Sequence, residues 1–146
     1  MSKKVSEVIS GRGEVYCISN QMTVAEAARY LKDRGIRATG VSNLSGKVIG
    51  VVSQSDISDK VVAENYRPSE VMVHAIASTN LIKITPDTEC DEAMGIMHEK
   101  KVYHLIVEDA AGCFMGMVSM RDCVNMKAEA EKERAEFYQH YAFPKY

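Results

Sequence analysis

The spacing of apolar residues predicts an amphipathic helix in each half of the chain. Apolar side chains recur at the i, i+3, i+4 and i+7 positions that form one face of an α-helix. These positions are Val24, Ala27, Ala28 and Leu31 in the first half, and Cys90, Ala93, Met94 and Met97 in the second. Helix-start signals of the capping-box type come from Thr23 with Glu26 and from Thr88 with Asp91. Gly35 is a natural end for the first helix, and the second is expected to end near residues 100–101.

Two short apolar runs follow each helix and predict a β-hairpin. The runs are residues 38–42 and 47–52 in the first half, and 104–108 and 113–118 in the second. Each pair flanks a turn that runs from Asn or Asp to Gly, which is typical of a hairpin. A further strand is predicted before each helix, at residues 15–18 and 81–84, and a second helix is predicted from Ser55 and from Arg121. The unit is therefore strand, helix, strand, strand, helix, an α+β arrangement in which helices cover a small sheet.

The two halves repeat one another at a constant offset of 66 residues without gaps. The identities place Glu26, Ala27, Val41 and Gly46 on Glu92, Ala93, Val107 and Gly112, and Gly50, Val52, Ser53 and Asp56 on Gly116, Val118, Ser119 and Asp122. A unit that cannot bury its own apolar face needs a copy of itself, so we expect two halves packed with pseudo-two-fold symmetry. The repeats are assigned to residues 4–65 and 66–127, and residues 128–146 to a C-terminal helix and an aromatic tail.

Composition and charge narrow the possible partners. The 146 residues are 46% hydrophobic, which suits one domain or two small units that share a core. The net charge of −2, with acids and bases interspersed, gives no general reason to bind nucleic acid or an anionic membrane. Because no apolar run reaches about 18 residues and the N-terminus lacks an apolar signal core, the expected location is the cytoplasm.

The sequence shows no set of residues typical of a metal site or an enzyme. Cys17, Cys90, Cys113 and Cys123 are widely spaced and form no Cys-x-x-Cys pair, so we expect buried reduced thiols and no metal. Neither a nucleophile elbow nor a phosphate-binding loop of the Walker type is present. We therefore predict a protein that is not an enzyme and needs no obligatory cofactor.

The repeated segment Gly-x-Val-Ser-x-x-Asp has two interpretations. A structural one is that the glycine permits a close backbone approach, while Ser and Asp cap the following helix. A functional one is that paired corners bind a nucleotide, since N–H groups suit phosphate and a carboxylate suits a ribose diol. Basic residues available for the anion are Arg37, His104 and Arg121. One copy favours the structural interpretation, whereas two copies favour nucleotide binding.

The doubled unit resembles a tandem pair of CBS domains, regulatory modules of the cystathionine-β-synthase type. The resemblance covers about residues 4–127 and rests on "TVAEAARYLKDRGIRATGV…GKVIGVVSQSDI" and "TECDEAMGIMHEKKVYHLIVED…GCFMGMVSMRDC". It implies a sensor for adenosine-containing ligands such as AMP, ADP, ATP or S-adenosylmethionine, which bind in the cleft between the repeats. It also implies a homodimer formed through helices. Because the sequence shows no catalytic or DNA-binding domain beside the repeats, we expect the output to pass through an unidentified protein target or a change of shape.

The resemblance further implies a role for each candidate site residue. Asp56 and Asp122 would hold the ribose hydroxyls, and Ser53 and Ser119 would lie near phosphate or ribose. Thr85 is expected to share a cleft with Asp56, and Ser19 with Asp122. The adenine and phosphates would be framed by Ile36, Arg37 and Ala38 in one repeat and by Val102, Tyr103 and His104 in the other.

The sequence departs from the family pattern at two points, and the second of them makes the two repeats differ. The proline that often follows the Arg or His at the middle strand is absent from both repeats, and Ser55 stands where the second repeat has Arg121. We therefore expect the Asp122 site to be occupied first. The alternative is a ligand-free module in which the repeat only builds a dimerisation surface.

The aromatic tail at residues 137–146 is expected to dock on the body of the protein, a dimer mate or another protein.

Overall fold

The computed structural model describes residues 3–141, which form five α-helices and six β-strands within that range. In chain order the elements are α1 (Val5–Ser10), β1 (Cys17–Ser19), α2 (Val24–Arg34), β2 (Ala38–Ser42), β3 (Val48–Ser53), α3 (Gln54–Ile57), β4 (Lys83–Ile84), α4 (Cys90–Lys100), β5 (His104–Glu108), β6 (Phe114–Ser119) and α5 (Met120–Tyr141). A π-helical turn, Ser58–Val62, extends α3, and a 3-10 turn covers Val73–Ala75. The α+β class is confirmed. Within residues 3–141, no helix is both long enough and apolar enough to cross a membrane.

The chain divides into two compact units. The first unit is Glu14–Ile82, and the second unit combines the residues up to Gly13 with those from Lys83 onward. Each unit has one three-stranded sheet, with strand order β1-β2-β3 or β4-β5-β6. In both sheets the first strand pairs parallel with the middle strand, and the middle strand pairs antiparallel with the third. The repeated strand and helix order predicted from the sequence is therefore present in both units.

The first unit buries a cluster of aliphatic side chains between its sheet and helices. The cluster consists of Ile18, Val24, Ala27, Val41, Val52, Val61, Val73 and Ile76. Its hairpin turn is held by Asn43, whose Oδ1 accepts the N–H groups of Ser45 and Lys47, each at 3.0 Å. Burial alternates along β3, so that Val48, Gly50 and Val52 are buried, and Val52 belongs to this cluster.

The second unit repeats this design with different residues. Its buried apolar side chains include Val5, Ile84, Cys90, Ala93, Met97, Leu105, Ile106, Val107, Val118 and Cys123. Asp109 is the equivalent of Asn43 in this hairpin turn, because its Oδ1 accepts hydrogen bonds from the N–H groups of Ala111 and Cys113, each at 2.9 Å. A side-chain oxygen at the first turn position thus fixes both hairpins.

The start of the second unit's long helix differs from the prediction. The first helix is capped as expected, because Thr23 Oγ1 accepts the N–H of Glu26 at 3.1 Å. The prediction that Thr88 caps α4 is wrong: the cap position is Glu89, whose side chain makes no capping hydrogen bond within the described residues. The N-terminal segment replaces the cap, since the N–H of Cys90 donates to the Lys3 carbonyl at 2.7 Å.

Two regions extend beyond what the sequence pattern indicated. Helix α1 was not expected, and it belongs to the second unit although it precedes the first unit in the chain. The compact units therefore differ from the repeats at residues 4–65 and 66–127. At the other end, α5 runs without a break from the second motif through residues 128–141, so the C-terminal extension continues the motif helix. Phe137 and Tyr138 lie exposed on it, and tail residues 142–146 fall outside the described residues.

Candidate functional site

The corner between β3 and α3 in the first unit is closed by reciprocal hydrogen bonds between Ser53 and Asp56. Asp56 Oδ2 accepts the backbone N–H of Ser53 at 2.9 Å and its hydroxyl at 3.1 Å. In return, Ser53 Oγ accepts the backbone N–H of Asp56 at 3.2 Å. This is a capping box in which an aspartate replaces the usual glutamate. We call Ser53 with Asp56 the first corner.

The corner between β6 and α5 in the second unit has the same geometry. Asp122 Oδ2 accepts the N–H of Ser119 at 2.8 Å, and Ser119 Oγ accepts the N–H of Asp122 at 3.0 Å. We call Ser119 with Asp122 the second corner. The repeated serine and aspartate therefore have a structural function in both units, as the structural interpretation of the motif predicts.

The segments that enter the middle strands lie at these corners. The N–H of Gln54 donates to the Arg37 carbonyl at 2.9 Å, and the N–H of Met120 donates to the Tyr103 carbonyl at 3.0 Å. The sheet register agrees, because the corner serine opposes the first residue of the middle strand in both units. Of the residues predicted to frame a ligand, Arg37 and Tyr103 are exposed, Ile36, Val102 and His104 are half-buried, and Ala38 is buried. Each unit thus brings its own framing segment to its own corner.

The repeated glycine in the third strand is explained by close contacts. A Cβ at Gly50 would lie 3.0 Å from the Ser78 carbonyl oxygen, because Ser78 pairs with the neighbouring residue of β3. A Cβ at Gly116 would lie 3.3 Å from Ile9 Cδ1, and the backbone there has a φ of 136°. A backbone group therefore approaches Gly50 closely, as the structural interpretation proposed, whereas the neighbour of Gly116 is a side chain and its positive φ is what favours glycine.

Each corner aspartate also faces a cation that the sequence analysis missed. Lys60 Nζ lies 3.0 Å from Asp56 Oδ1 and donates to the Ile76 carbonyl at 2.9 Å. At the second corner, Arg12 Nη2 donates to Asp122 Oδ2 at 2.6 Å, and Arg12 Nη1 donates to the Met117 carbonyl. The i, i+4 spacing signalled the lysine pair, whereas the arginine comes from 110 residues away.

Two other basic groups were predicted at the second corner. Burial lowers the pKa of His104 from its usual 6.5, although the nearby Asp122 carboxylate acts in the opposite direction and Arg12 lowers it further. The imidazole is therefore neutral near pH 7 and adds no charge there. Arg121 is exposed and makes no hydrogen bond or ion pair within residues 3–141. Of these bases, Arg12 alone contacts the Asp122 carboxylate.

Ser19, the last residue of β1, and Thr85, directly after β4, lie away from the corner of their own unit. Ser19 pairs in register with Ser42, at the opposite end of the sheet from Ser53. Ser19 is exposed, and its Oγ accepts the N–H of Gln21 at 3.1 Å. Thr85 follows β4 and is exposed, with its Oγ1 3.4 Å from Thr88 Oγ1. The expected pairings of Thr85 with Asp56 and of Ser19 with Asp122 join residues of different units and stay predictions.

The cysteines are free thiols in different environments. Cys90 and Cys123 are buried, and burial is the main cause that raises the pKa of Cys123 to about 12. Cys17 is half-buried, and burial raises its pKa as well. The prediction of a buried thiol is wrong for Cys113, which is exposed because it directly follows the hairpin turn. Within the described part of the chain, no group of three or more His, Cys, Asp or Glu side chains is arranged to hold a metal ion.

Comparison with known proteins identifies a family that matches this chain. A family model described as CBS domain matches residues 5–63 and 73–129. An uncharacterised protein of Methanopyrus kandleri is 30% identical over 140 residues, which cover 93% of this chain and 70% of that protein.

Two solved structures share the fold. A CBS domain protein from Pyrobaculum aerophilum complexed with AMP has a TM-score of 0.74 and 20% identity, and the match covers 82% of this chain and 89% of that one. A CBS domain pair in complex with 5′-methylthioadenosine and S-adenosylmethionine has a TM-score of 0.77 and 19% identity, covering 89% of this chain and 99% of that one. The two family-model matches, the repeated α+β unit and the paired Ser-x-x-Asp corners agree: the chain belongs to the CBS domain family.

Proposed function

We propose that this protein is a regulatory module of the cytoplasm that binds an adenosine-containing ligand and passes the signal to a protein partner. The observation that carries the proposal is the doubled corner, in which a serine and an aspartate are joined by reciprocal hydrogen bonds where a strand ends. A carboxylate accepts hydrogen bonds from both hydroxyls of a ribose, and the neighbouring N–H and hydroxyl groups suit its polar substituents. The AMP and S-adenosylmethionine complexes of the two similar structures support this ligand class.

The proposed ligand contacts follow the sequence prediction, with the second corner occupied first. The Asp122 side chain is 31% exposed, whereas that of Asp56 is 16% exposed, so the second carboxylate is more accessible. Arg12 also supplies at the second corner a guanidinium that the sequence analysis did not include. Thr85 and Ser19 complete the proposed set as partners of Asp56 and Asp122 respectively.

Signalling in this proposal is a shift between two arrangements of the protein. A ligand changes the population of two states only when it binds them with different affinity. A partner that recognises the favoured state then responds to the ligand concentration, and by linkage the partner also changes the ligand affinity. This mechanism needs no catalytic group.

Calorimetric titration with AMP, ADP, ATP and S-adenosylmethionine tests the binding proposal. The informative variants are Asp122→Asn and Asp56→Asn, because an amide oxygen still accepts the capping hydrogen bond while the negative charge is lost. Asp33→Asn, on the exposed side of α2, is the matched control. We expect Asp122→Asn to weaken binding most. Unchanged affinity in both corner variants, with binding by the wild type, would refute the assignment of the site.

The alternative proposal, a ligand-free dimerisation module, rests on a different observation. An apolar groove in the first unit is lined by Ala28, Leu31, Ile57 and Val62, and Val62 is 64% exposed. Thermal melting with the same ligands separates the two proposals, because a ligand at a hundred times its Kd adds about 2.7 kcal/mol to folding stability. If no ligand raises the melting temperature and Val62→Glu converts a dimer to a monomer by light scattering, the dimerisation proposal is the correct one.

The aromatic tail provides a second possible contact between copies. Phe137 and Tyr138 are 57% and 54% exposed, and large exposed aromatic side chains are typical of contact surfaces. Deleting residues 137–146 and measuring the mass in solution tests whether this end of α5 holds a homodimer. A mass that does not change excludes the tail from the dimer contact.

A further inference from the structure

Arg12 contacts the Asp122 carboxylate, to which the proposed function assigns the ribose. Its two terminal nitrogens donate to the Asp122 carboxylate at 2.6 Å and to the Met117 carbonyl, so the guanidinium joins α5 to the end of β6. The Arg12 and Asp122 side chains are each 31% exposed, so this pair is partly shielded from water. An ion pair with direct hydrogen bonds in such a place is stronger than one on an open surface.

The pair has a consequence for any ligand that brings a ribose to Asp122. The diol and the guanidinium both donate hydrogen bonds to the same carboxylate, so they compete for it. Displacing Arg12 leaves a partly buried cation without its anion, which is unfavourable. His104 is neutral near pH 7, so it neither repels nor replaces the displaced guanidinium. The displaced Arg12 therefore needs a new anion close to the ribose.

We propose that Arg12 is a specificity-determining residue that selects phosphorylated adenosine compounds at the second corner. The ribose diol takes the place of the guanidinium on Asp122, and the guanidinium turns to the 5′-phosphate of the same ligand. Arg12 donates one hydrogen bond to Asp122 and one to the Met117 carbonyl, and a planar guanidinium can donate two parallel hydrogen bonds to a phosphate, so the phosphate replaces both acceptors. Adenosine displaces Arg12 in the same way but offers no anion in return. This inference rests on the proposed function and adds the ligand class.

The first corner has a different arrangement and is not expected to select in this way. Lys60 follows Asp56 by one helical turn, and its side chain is 48% exposed. It also keeps its hydrogen bond to the Ile76 carbonyl, and a displaced ammonium at that exposure is hydrated by solvent. Preference for a phosphate is therefore assigned to the second corner.

Calorimetric titration of the full chain with AMP and with adenosine tests the assignment. We compare the wild type with Arg12→Met, which keeps an unbranched apolar stem but removes the guanidinium, and Arg12→Lys, which keeps the charge. Arg67→Met is the matched control, because Arg67 is 80% exposed and lies in the first unit. We expect Arg12→Met to reduce the ratio of the adenosine Kd to the AMP Kd by about tenfold or more, since AMP loses a charged hydrogen bond and adenosine no longer breaks one. Arg12→Lys should retain part of the preference.

The outcomes distinguish this inference from the proposed function. Melting of each variant without ligand first shows that it is folded. If AMP binds and Asp122→Asn weakens it, but the Kd ratio of Arg12→Met stays within about twofold of the control, the inference about Arg12 is wrong and the proposed function stands. If S-adenosylmethionine binds the wild type but AMP, ADP and ATP do not, the inference is wrong and the proposed function stands. If none of these four ligands binds the wild type, the proposed function fails and the inference fails with it.

Discussion

Helices α2 and α4 end in the same left-handed backbone conformation, but on different residues. Gly35 has a φ of 63° and Lys101 a φ of 56°, and the two positions are 66 residues apart in equivalent places of the two units. The backbone N–H of each residue bonds back to the last turn of its helix. The conformation is therefore set by the fold of the unit, whereas only the first unit has the residue that adopts it without strain.

The structure allows the effect of exchanging these residues to be estimated. A Cβ added at Gly35 meets no atom within 4 Å among the described residues, so Gly35→Ala introduces conformational strain without a clash. An L-residue in this conformation costs about 1–2 kcal/mol. Alanine also restricts the unfolded chain more than glycine does, and this effect offsets about 0.5–1 kcal/mol of the cost. We expect Gly35→Ala to lower the free energy of unfolding by about 1 kcal/mol and Lys101→Gly to raise it by about 0.5–1 kcal/mol.

Urea denaturation followed by circular dichroism measures both effects. Gly95→Ala is the control, because Gly95 is exposed inside α4 and a Cβ there also meets no atom within 4 Å in the described structure. It should stabilise the protein by about 0.5–1 kcal/mol through helix propensity alone. A destabilising Lys101→Gly together with a stabilising Gly95→Ala would refute the reasoning, since it would show that Lys101 contributes more than its backbone conformation.

Three further predictions concern pH, thiol reactivity and the core. The pKa of His104 is lowered from 6.5 in the folded state, so the contribution of neutral His104 to stability is complete above about pH 6.5 and is lost as the pH falls through the folded pKa. The melting temperatures at pH 5.5 and 7.5 should therefore differ less in His104→Asn than in the wild type. Cys113 is exposed and should react with a thiol reagent at once, whereas the buried Cys90 and Cys123 should react only after denaturation. Leu31→Ala should lower the free energy of unfolding by about 2–5 kcal/mol, because that side chain is 1% exposed in the core.

Each of these predictions has a clear contrary result. An equal pH dependence in the wild type and His104→Asn would mean that other groups control acid stability. Rapid modification of more than two thiols in the folded protein would contradict the burial of Cys90 and Cys123. For the core, Leu44→Ala is the control, since Leu44 is 87% exposed and its removal should change stability by less than about 0.5 kcal/mol. Equal effects of Leu31→Ala and Leu44→Ala would contradict the assigned core.

The sequence pattern predicted the elements whose apolar periodicity is strong. The helix from Val24 ends before Gly35 as expected, and the middle strands, Ala38–Ser42 and His104–Glu108, have the predicted bounds. The first and third strands differ by one or two residues at their ends. The strand predicted at residues 81–84 is shorter in the structure and covers only Lys83–Ile84. A strand needs hydrogen-bonded pairing with a neighbouring strand, and of these four residues only Lys83 and Ile84 pair with β5.

Features that depend on distant partners were not predictable. The cap of α4 by Lys3 joins residues 87 positions apart, and no local signal indicates that a backbone carbonyl replaces the Thr88 side chain. Arg12 was missed for the same reason, since its carboxylate partner lies 110 residues later. The corner motifs were found because their hydrogen bonds span three residues, so sequence spacing and spatial contact coincide.

The placement of α1 in the second unit has a consequence for the order of folding during synthesis. Residues 3–13 are synthesised before Glu14–Ile82, but the Thr88 and Cys90 backbone groups to which they bond are synthesised only after that segment. The first unit is a continuous segment and can form its sheet while translation proceeds. Arg12 is therefore synthesised before a complete neighbouring unit, and its ion pair at the second corner can form only after Asp122 has been synthesised.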